Sequence, residues 1–267
     1  MFTFRRLTVL FFLILMGLNL WSIFTSKSGV GLIQSHPTLL YSLLFSFYFG
    51  ISFAMAFLPC SGFHHETICR GKTDRKIVAL TFDDGPDNLN TPQILEVLAR
   101  HKVPATFFCI GSRIHGNEEL IRRIDTSGHI LGNHSFSHSK FFDLFPAKKI
   151  RNELLETDRL IMSATGKSPL FFRPPYGVIN PLVSSAVKGM HWKLICWNIR
   201  SFDTLNAKPE KTKNRILSRL KPGSIILLHD HSVMAETTLE ELILAIRQQG
   251  YEIVPLDNLL NIPAYAS

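Results

Sequence analysis

The chain has 267 residues, 29 Lys+Arg against 21 Asp+Glu for a formal charge of +8, and 46% hydrophobic residues. That composition excludes a disordered or collagen-like chain, and the length admits one large domain or two small ones. Seven basic and two acidic groups fall in residues 1–76, a net +5 beside long apolar runs, so the charge reports membrane orientation and nucleic acid is not an expected partner.

Leu7 to Phe24 is 18 residues without a charge and Leu39 to Leu58 is another 20, each close to the ~20 residues that cross a hydrocarbon core. A cleaved signal peptide is the alternative for the first run, with Arg5 and Arg6 before it and Ser26, Ser28 and Gly29 after it. Its length, and a second apolar run 14 residues later, predict a helical hairpin instead. Two crossings return the chain to its starting side. Arg5 and Arg6 on one flank and Arg70, Lys72, Arg75 and Lys76 on the other, with only Lys27 between the runs, then place the main domain in the cytoplasm. The expectation is a multi-pass protein of a bacterial inner membrane, in contact with the lipid bilayer; the domain is extracytoplasmic if one run fails to span.

Next come Cys60 and Cys69, near enough in sequence to pair in an oxidising compartment, around His64-His65-Glu66, which reads as solvated linker. Cys109 and Cys196 lie in apolar runs and read as core. No CxxC occurs, which argues against a cysteine zinc site. The predicted division is a membrane hairpin over 1–60, a basic linker over 61–75 and one domain over 76–267.

From Ile77 onward, short apolar runs alternate with amphipathic ones. Ile77 to Phe82, Ala105 to Ile110, His129 to Gly132, Leu170 to Arg173, Lys193 to Asn198, Ser224 to His229 and Tyr251 to Pro255 read as buried strands. Helices are predicted from Thr91-Pro92 as N-cap and N1, from Asn117 to a stop at Gly128, over 147–165 with Gly166 as terminator, and over 181–189, 209–220 and 236–249. The alternation implies an α/β fold with about seven parallel strands, as a barrel or an open sheet. Either way the site belongs at the C-terminal strand ends.

The chemistry-bearing residues cluster at those ends. Thr81-Phe82-Asp83-Asp84-Gly85-Pro86 places adjacent carboxylates at a turn, one free to bind a metal and the other to act as a base. His134-Ser135-Phe136-Ser137-His138 brings two imidazoles to one ion, and two His with one Asp leave room for water, as in catalytic zinc sites. Phe172-Arg173-Pro174-Pro175-Tyr176-Gly177 is a stiff turn presenting a guanidinium and backbone N–H groups. His229, in Leu227-Leu228-His229-Asp230-His231, is the right residue type for a general acid, and His231 reads as supporting residue or surface.

Taken in order, TFDDGP, HSFSH, RPPYG and LLHD resemble the polysaccharide deacetylases of carbohydrate esterase family 4, the NodB-homology domain, over about residues 76–256. The resemblance implies a distorted (β/α) barrel and N-deacetylation of an N-acylated sugar. It assigns Asp83 as base, and Asp84, His134 and His138 as ligands of a divalent ion, usually Zn2+ with Co2+ also possible. Arg173 orients the base, Tyr176 offers an oxyanion N–H, Leu227 walls the acyl pocket and His229 is the acid. Asp203 matches the carboxylate that partners the acid. The departure is Trp197-Asn198-Ile199-Arg200-Ser201-Phe202-Asp203-Thr204, where the family commonly has Asp-x-x-Asp-Trp. Arg200 stands for the first Asp and is free to meet an anionic group or to pair with Asp83, while Trp192 and Trp197 read as core or pocket wall. The expected substrate is an N-acylated glycan or a lipid-linked sugar. A deformylase of a lipid-linked amino sugar and an inactive glycan-binding module are the alternatives.

Overall fold

The computed structural model describes residues 3–25, 37–204, 208–230 and 236–266. Two apolar helices come first, α1 (Phe4–Thr25) and α2 (Pro37–Ala56), each long and apolar enough to cross a membrane. Phe12, Phe24, Phe47 and Phe53 are all more than half exposed, which water would penalise and lipid would not. The helices pair through Phe11, whose ring lies 5.1 Å from Phe45 and 4.5 Å from Tyr48, and through a 3.0 Å bond between the Tyr48 and Thr8 hydroxyls. Phe4 N–H donates to the Phe63 carbonyl and Ile179 N–H to that of Ala56. The start of α1 and the end of α2 therefore rest on the same side, against the domain that follows. Ser26, Lys27, Ser28, Gly29 and His231 lie outside the described residues.

That domain alternates β1 (Ile77–Gly85), α3 (Asn90–His101), β2 (Ala105–Cys109), α4 (Gly111–Ile114), α5 (Glu118–Thr126), β3 (Ile130–Asn133), α6 (Ala147–Thr165), β4 (Phe171–Phe172), α7 (Pro181–Val187), β5 (Lys193–Leu194), β6 (Ile199–Arg200), α8 (Pro209–Leu217), β7 (Ile225–His229), α9 (Glu236–Gln248), β8 (Glu252–Ile253) and α10 (Leu256–Leu260). The strands pair in parallel in the order β5-β4-β3-β2-β1-β7-β6, with β8 against the start of β1. Side chains alternate between the faces of each strand. Leu80 and Phe82 of β1 meet the helix layer at Leu98 and Ile243, while Ala79 joins Phe108, Phe171, Ile195 and Ile225 in the interior. Each large apolar side chain fully buried here contributes roughly 1.5–3 kcal/mol. The same alternation sends Asp83 inward.

Of the stretch Lys193 to Asn198, expected as one strand, only Lys193–Leu194 is strand, and β6 begins just after it at Ile199. β5 and β6 are opposite edges of the curled sheet, and residues 195–198 cross the gap between them. Asn198 pins this crossing to β7, accepting from Ile225 N–H at 2.8 Å and donating to Ser224 Oγ at 3.0 Å. Residues 68–71 line the same gap: Ile68 N–H donates to Leu194 O, Cys196 N–H to Ile68 O, and Gly71 N–H to Gly223 O. Cys69 is disulfide-bonded to Cys60. Nor is His64-His65 solvated as expected. Both residues are half-buried, His64 Nε2 lying 2.9 Å from Ser52 O and His65 Nδ1 3.2 Å from Ser184 Oγ.

Helix ends follow the sequence signals with one correction. α6 stops at Gly166, whose φ of 74° is left-handed and whose N–H donates to Met162 O. Thr91 is not the cap of α3. Asp87 Oδ1 takes that role, accepting from the N–H groups of Leu89 and Asn90, and the Thr91 hydroxyl donates instead to buried Asp230 at 2.6 Å.

Candidate active site

Asp83 and His229 are lateral neighbours on β1 and β7. Both lie at the C-terminal end of the sheet, so a carboxylate and an imidazole are placed side by side by register alone. Asp84 would point the other way in a regular strand. Its φ of 72° and the register shift between Asp83 and Gly85 bring its carboxylate back to the same mouth. Asp84 Oδ1 lies 3.4 Å from His134 Nε2 and 3.2 Å from His138 Nε2, and Asp83 Oδ2 is 3.7 Å from His134 Nε2.

The ligand atoms of Asp84, His134 and His138 lie within 4.8 Å of one another. His134 Nδ1–H donates to the Arg173 carbonyl at 2.7 Å, which fixes the tautomer and leaves Nε2 as the donor. Two imidazoles and a carboxylate are the donor set that suits a divalent ion such as zinc. Burial works to raise the Asp84 pKa, but the hydrogen bond with His134 and the charges of His134, His138 and His229 bring it below the ordinary carboxylate value. The acid is therefore ionised and ready to bind a cation.

Arg173 is fully buried, with four of its five guanidinium N–H groups donating hydrogen bonds. Its Nη1 donates to Asp83 Oδ1 at 2.6 Å and to Thr81 Oγ1 at 2.8 Å, Nε to Ile195 O, and Nη2 to Cys196 O. Phe108 stacks on the guanidinium at 4.0 Å. A buried charge is tolerable only when paired and hydrogen-bonded in this way. Asp83 consequently pairs with Arg173 and not with Arg200. Asp203 accepts from His229 twice, at Oδ1 from ring Nδ1–H and at Oδ2 from the backbone N–H, both at 2.8 Å. Burial lowers the His229 pKa, but Asp203 first and then Asp83 and Asp84 outweigh it, and the net shift is upward.

Tyr176 takes a left-handed φ of 59° in the Pro175–Gly177 turn and sets its ring 4.9 Å from that of His138. Trp197 packs over Gly177, where an added Cβ would come within 2.7 Å of the indole. Leu227 is buried and pairs laterally with both Thr81 and Arg200.

The polysaccharide deacetylase family model matches residues 70–195. A peptidoglycan-N-acetylglucosamine deacetylase of Bacillus cereus is 34% identical over 192 residues, covering 70% of this chain and 89% of that protein. The chain belongs to the polysaccharide deacetylases. The Listeria monocytogenes peptidoglycan-N-acetylglucosamine deacetylase PgdA is also 34% identical, over 71% of this chain, which spans only 40% of that relative's length. The solved structure of the Bc1960 peptidoglycan N-acetylglucosamine deacetylase superposes with a TM-score of 0.69 at 30% identity, covering 75% of this chain and 95% of that one. The fold of this deacetylase-family chain is thus the distorted barrel expected of its motifs.

Two supports of the family motifs escaped the sequence reading. Asn133 accepts from Ser135 N–H at 2.9 Å and donates to Asp158 of α6 at 2.7 Å, and Asp158 also accepts from Trp192 Nε1–H at 2.8 Å. This buried chain anchors the loop bearing both histidines. The signal was available, because Asp158 lies between Leu154 and Ile161 on the apolar stripe of α6. The second is Asp230, wholly buried and accepting from Thr91; burial drives its pKa up to about 7.

Proposed function

We propose that the protein is a membrane-anchored, metal-dependent hydrolase that removes an N-acetyl group from an N-acetylated sugar. The supporting observation is the lateral pairing of Asp83 with His229 beside the Asp84-His134-His138 donor set. A divalent ion held by those three residues supplies Lewis acidity and makes water there more acidic. Asp83, oriented by Arg173, takes the proton of the water that attacks the acyl carbon. The backbone N–H of Tyr176 holds the oxyanion, and His229 gives its proton to nitrogen as the C–N bond breaks, leaving acetate and a free amine. A glycan-binding module has no use for both a base and an acid. Acetate release from N-acetylated sugar oligomers by purified zinc- or cobalt-loaded protein tests this directly; formate release from N-formyl sugars and no acetate would make it a deformylase instead.

Asp203→Asn keeps one acceptor oxygen toward His229, replaces the other by a donor NH2, and removes the charge that raises its pKa. His229 then loses its proton at lower pH, so the alkaline limb of kcat/KM moves toward acid. A limb that stays in place would take the acid role away from His229.

Orientation turns on the Cys60–Cys69 disulfide. Charge counting alone places the domain in the cytoplasm, but a disulfide persists in an oxidising compartment and is reduced in the cytosol. The domain then lies on the extracytoplasmic side of a bacterial inner membrane that α1 and α2 cross, with Arg5 and Arg6 on that same side against the positive-inside tendency. In intact cells, Cys60 and Cys69 should resist maleimide until a reductant is added. Labelling mapped to Cys60 or Cys69, and not only to the free Cys109 and Cys196, without reductant after denaturation would return the domain to the cytoplasm.

A further inference from the structure

Arg200 stands on β6 opposite Leu227, which stands opposite Thr81 on β1. Laterally paired residues of a parallel sheet share a face. Thr81 accepts from Arg173 inside the barrel, so Leu227 and Arg200 project to the interior side, while Ile199 packs outward with Ile216 and Leu228. The Arg200 side chain therefore leaves an edge strand toward the mouth, where it is exposed. Trp197 lies between the two arginines, its ring 5.7 Å from the Arg173 guanidinium and 6.0 Å from that of Arg200.

A second cation shares this rim. Phe202, turned by a φ of 58°, has the Arg200 guanidinium 4.9 Å and that of Arg215 4.3 Å from its ring centre. Arg215 Nε–H donates to the Arg200 carbonyl at 2.8 Å. Among the described residues neither arginine lies within ion-pair distance of a carboxylate, whereas Arg173, Lys213 and Lys167 all do. Burial, and then the charges of Arg219 and Arg200, press the Arg215 pKa below its ordinary value. Two guanidinium groups held on one ring without a counter-charge repel each other, and a bound oxyanion would relieve that repulsion while accepting a forked pair of hydrogen bonds.

We propose that Arg200, with Arg215 beside it, forms an anion subsite at the barrel mouth that reads a carboxylate or phosphate on the N-acylated sugar or on its neighbour. It rests on the deacetylase reading and makes Arg200 a specificity-determining residue. The probes are a neutral N-acetylglucosamine oligomer, an N-acetylmuramic acid disaccharide for the carboxylate, and N-acetylglucosamine 1-phosphate for the phosphate. Wild-type protein should prefer one anionic probe over the neutral oligomer by about tenfold or more in kcat/KM, as a charge-assisted hydrogen bond allows. High salt should shrink that preference. Arg200→Gln should lower the ratio toward one through KM, with Arg200→Lys recovering part of it, and Arg215→Gln should move it the same way. Whichever anionic probe responds identifies the source of the charge. A ratio unchanged in Arg200→Gln and Arg215→Gln, or a wild type with no anionic preference, overturns the subsite while deacetylation stands. Failure to turn over any probe overturns the deacetylase reading instead. The subsite is then judged by calorimetric titration of the wild type with the same three probes, where equal binding of neutral and anionic sugars overturns it.

Discussion

Asp83→Asn should reduce kcat for acetate release by about 10³-fold, within the range that a positioned general base contributes. Asn keeps the size and one oxygen of Asp83 but cannot take a proton from water. The same change leaves the buried Arg173 guanidinium without its counter-charge, 2.6 Å from where the carboxylate oxygen stood. Removing one partner of a buried pair costs about 3–5 kcal/mol in the general case, and the retained amide oxygen should hold the loss below that. A lower melting temperature therefore accompanies the lost activity. Near-UV circular dichroism of the folded variant separates the two effects, because a fraction that is native in spectrum and still inactive isolates the chemistry. A folded Asp83→Asn protein with wild-type kcat would remove Asp83 from the reaction.

Loss of the metal site is expected to be as severe. Chelation should abolish turnover, and zinc or cobalt should restore it to a protein that otherwise binds about one ion per chain. Supporting residues around metal ligands are generally worth 10–100-fold in affinity, so His134→Ala, which removes a donor itself, should lose more than that. His134 is the more telling position because its ring is buried and its other nitrogen is already committed to the Arg173 carbonyl. Elemental analysis of the purified variant reads the outcome independently of activity. An ion retained at wild-type stoichiometry and affinity would show that the three side chains come together for another reason.

His134→Ala also separates ligand loss from loop collapse, since Ser135 is held by Asn133 and not by the imidazole. If the loop stayed intact, an added imidazole would restore part of the metal affinity.

The strand-end motifs were legible because each carries its own local instruction. Asp83-Asp84-Gly85-Pro86 ends a buried strand in a turn, and α6 ends at a glycine that takes the left-handed conformation. Such signals involve residues a few positions apart, and a linear reading reaches them. Arg173 was assigned to the base through family likeness, and the structure supplies the reason: four acceptors on β1, on β1's own Asp83 and on the crossing residues 195–196 surround one guanidinium. Other features were invisible at that range. Lys193 to Asn198 reads as one apolar strand because nothing in those six residues says that the sheet runs out of partners there. Thr91 reads as a cap because its bond to Asp230 spans 139 positions.

Chain order and side-chain type alone carried the α/β class, the helix stops, the two apolar runs and the residues able to bind a metal, since these depend on local periodicity and on chemistry each residue keeps in any fold. Curling of the sheet settled the rest. It cut the expected strand short at Leu194 and set β5 and β6 at opposite edges, drew residues 68–71 and the Cys60–Cys69 disulfide into the gap, gave Asp83 to Arg173, and left Arg200 facing the mouth. Those outcomes depend on which strands become neighbours, and pairing such as that of Asp83 with His229 joins residues far apart in the chain whose contact no local pattern encodes.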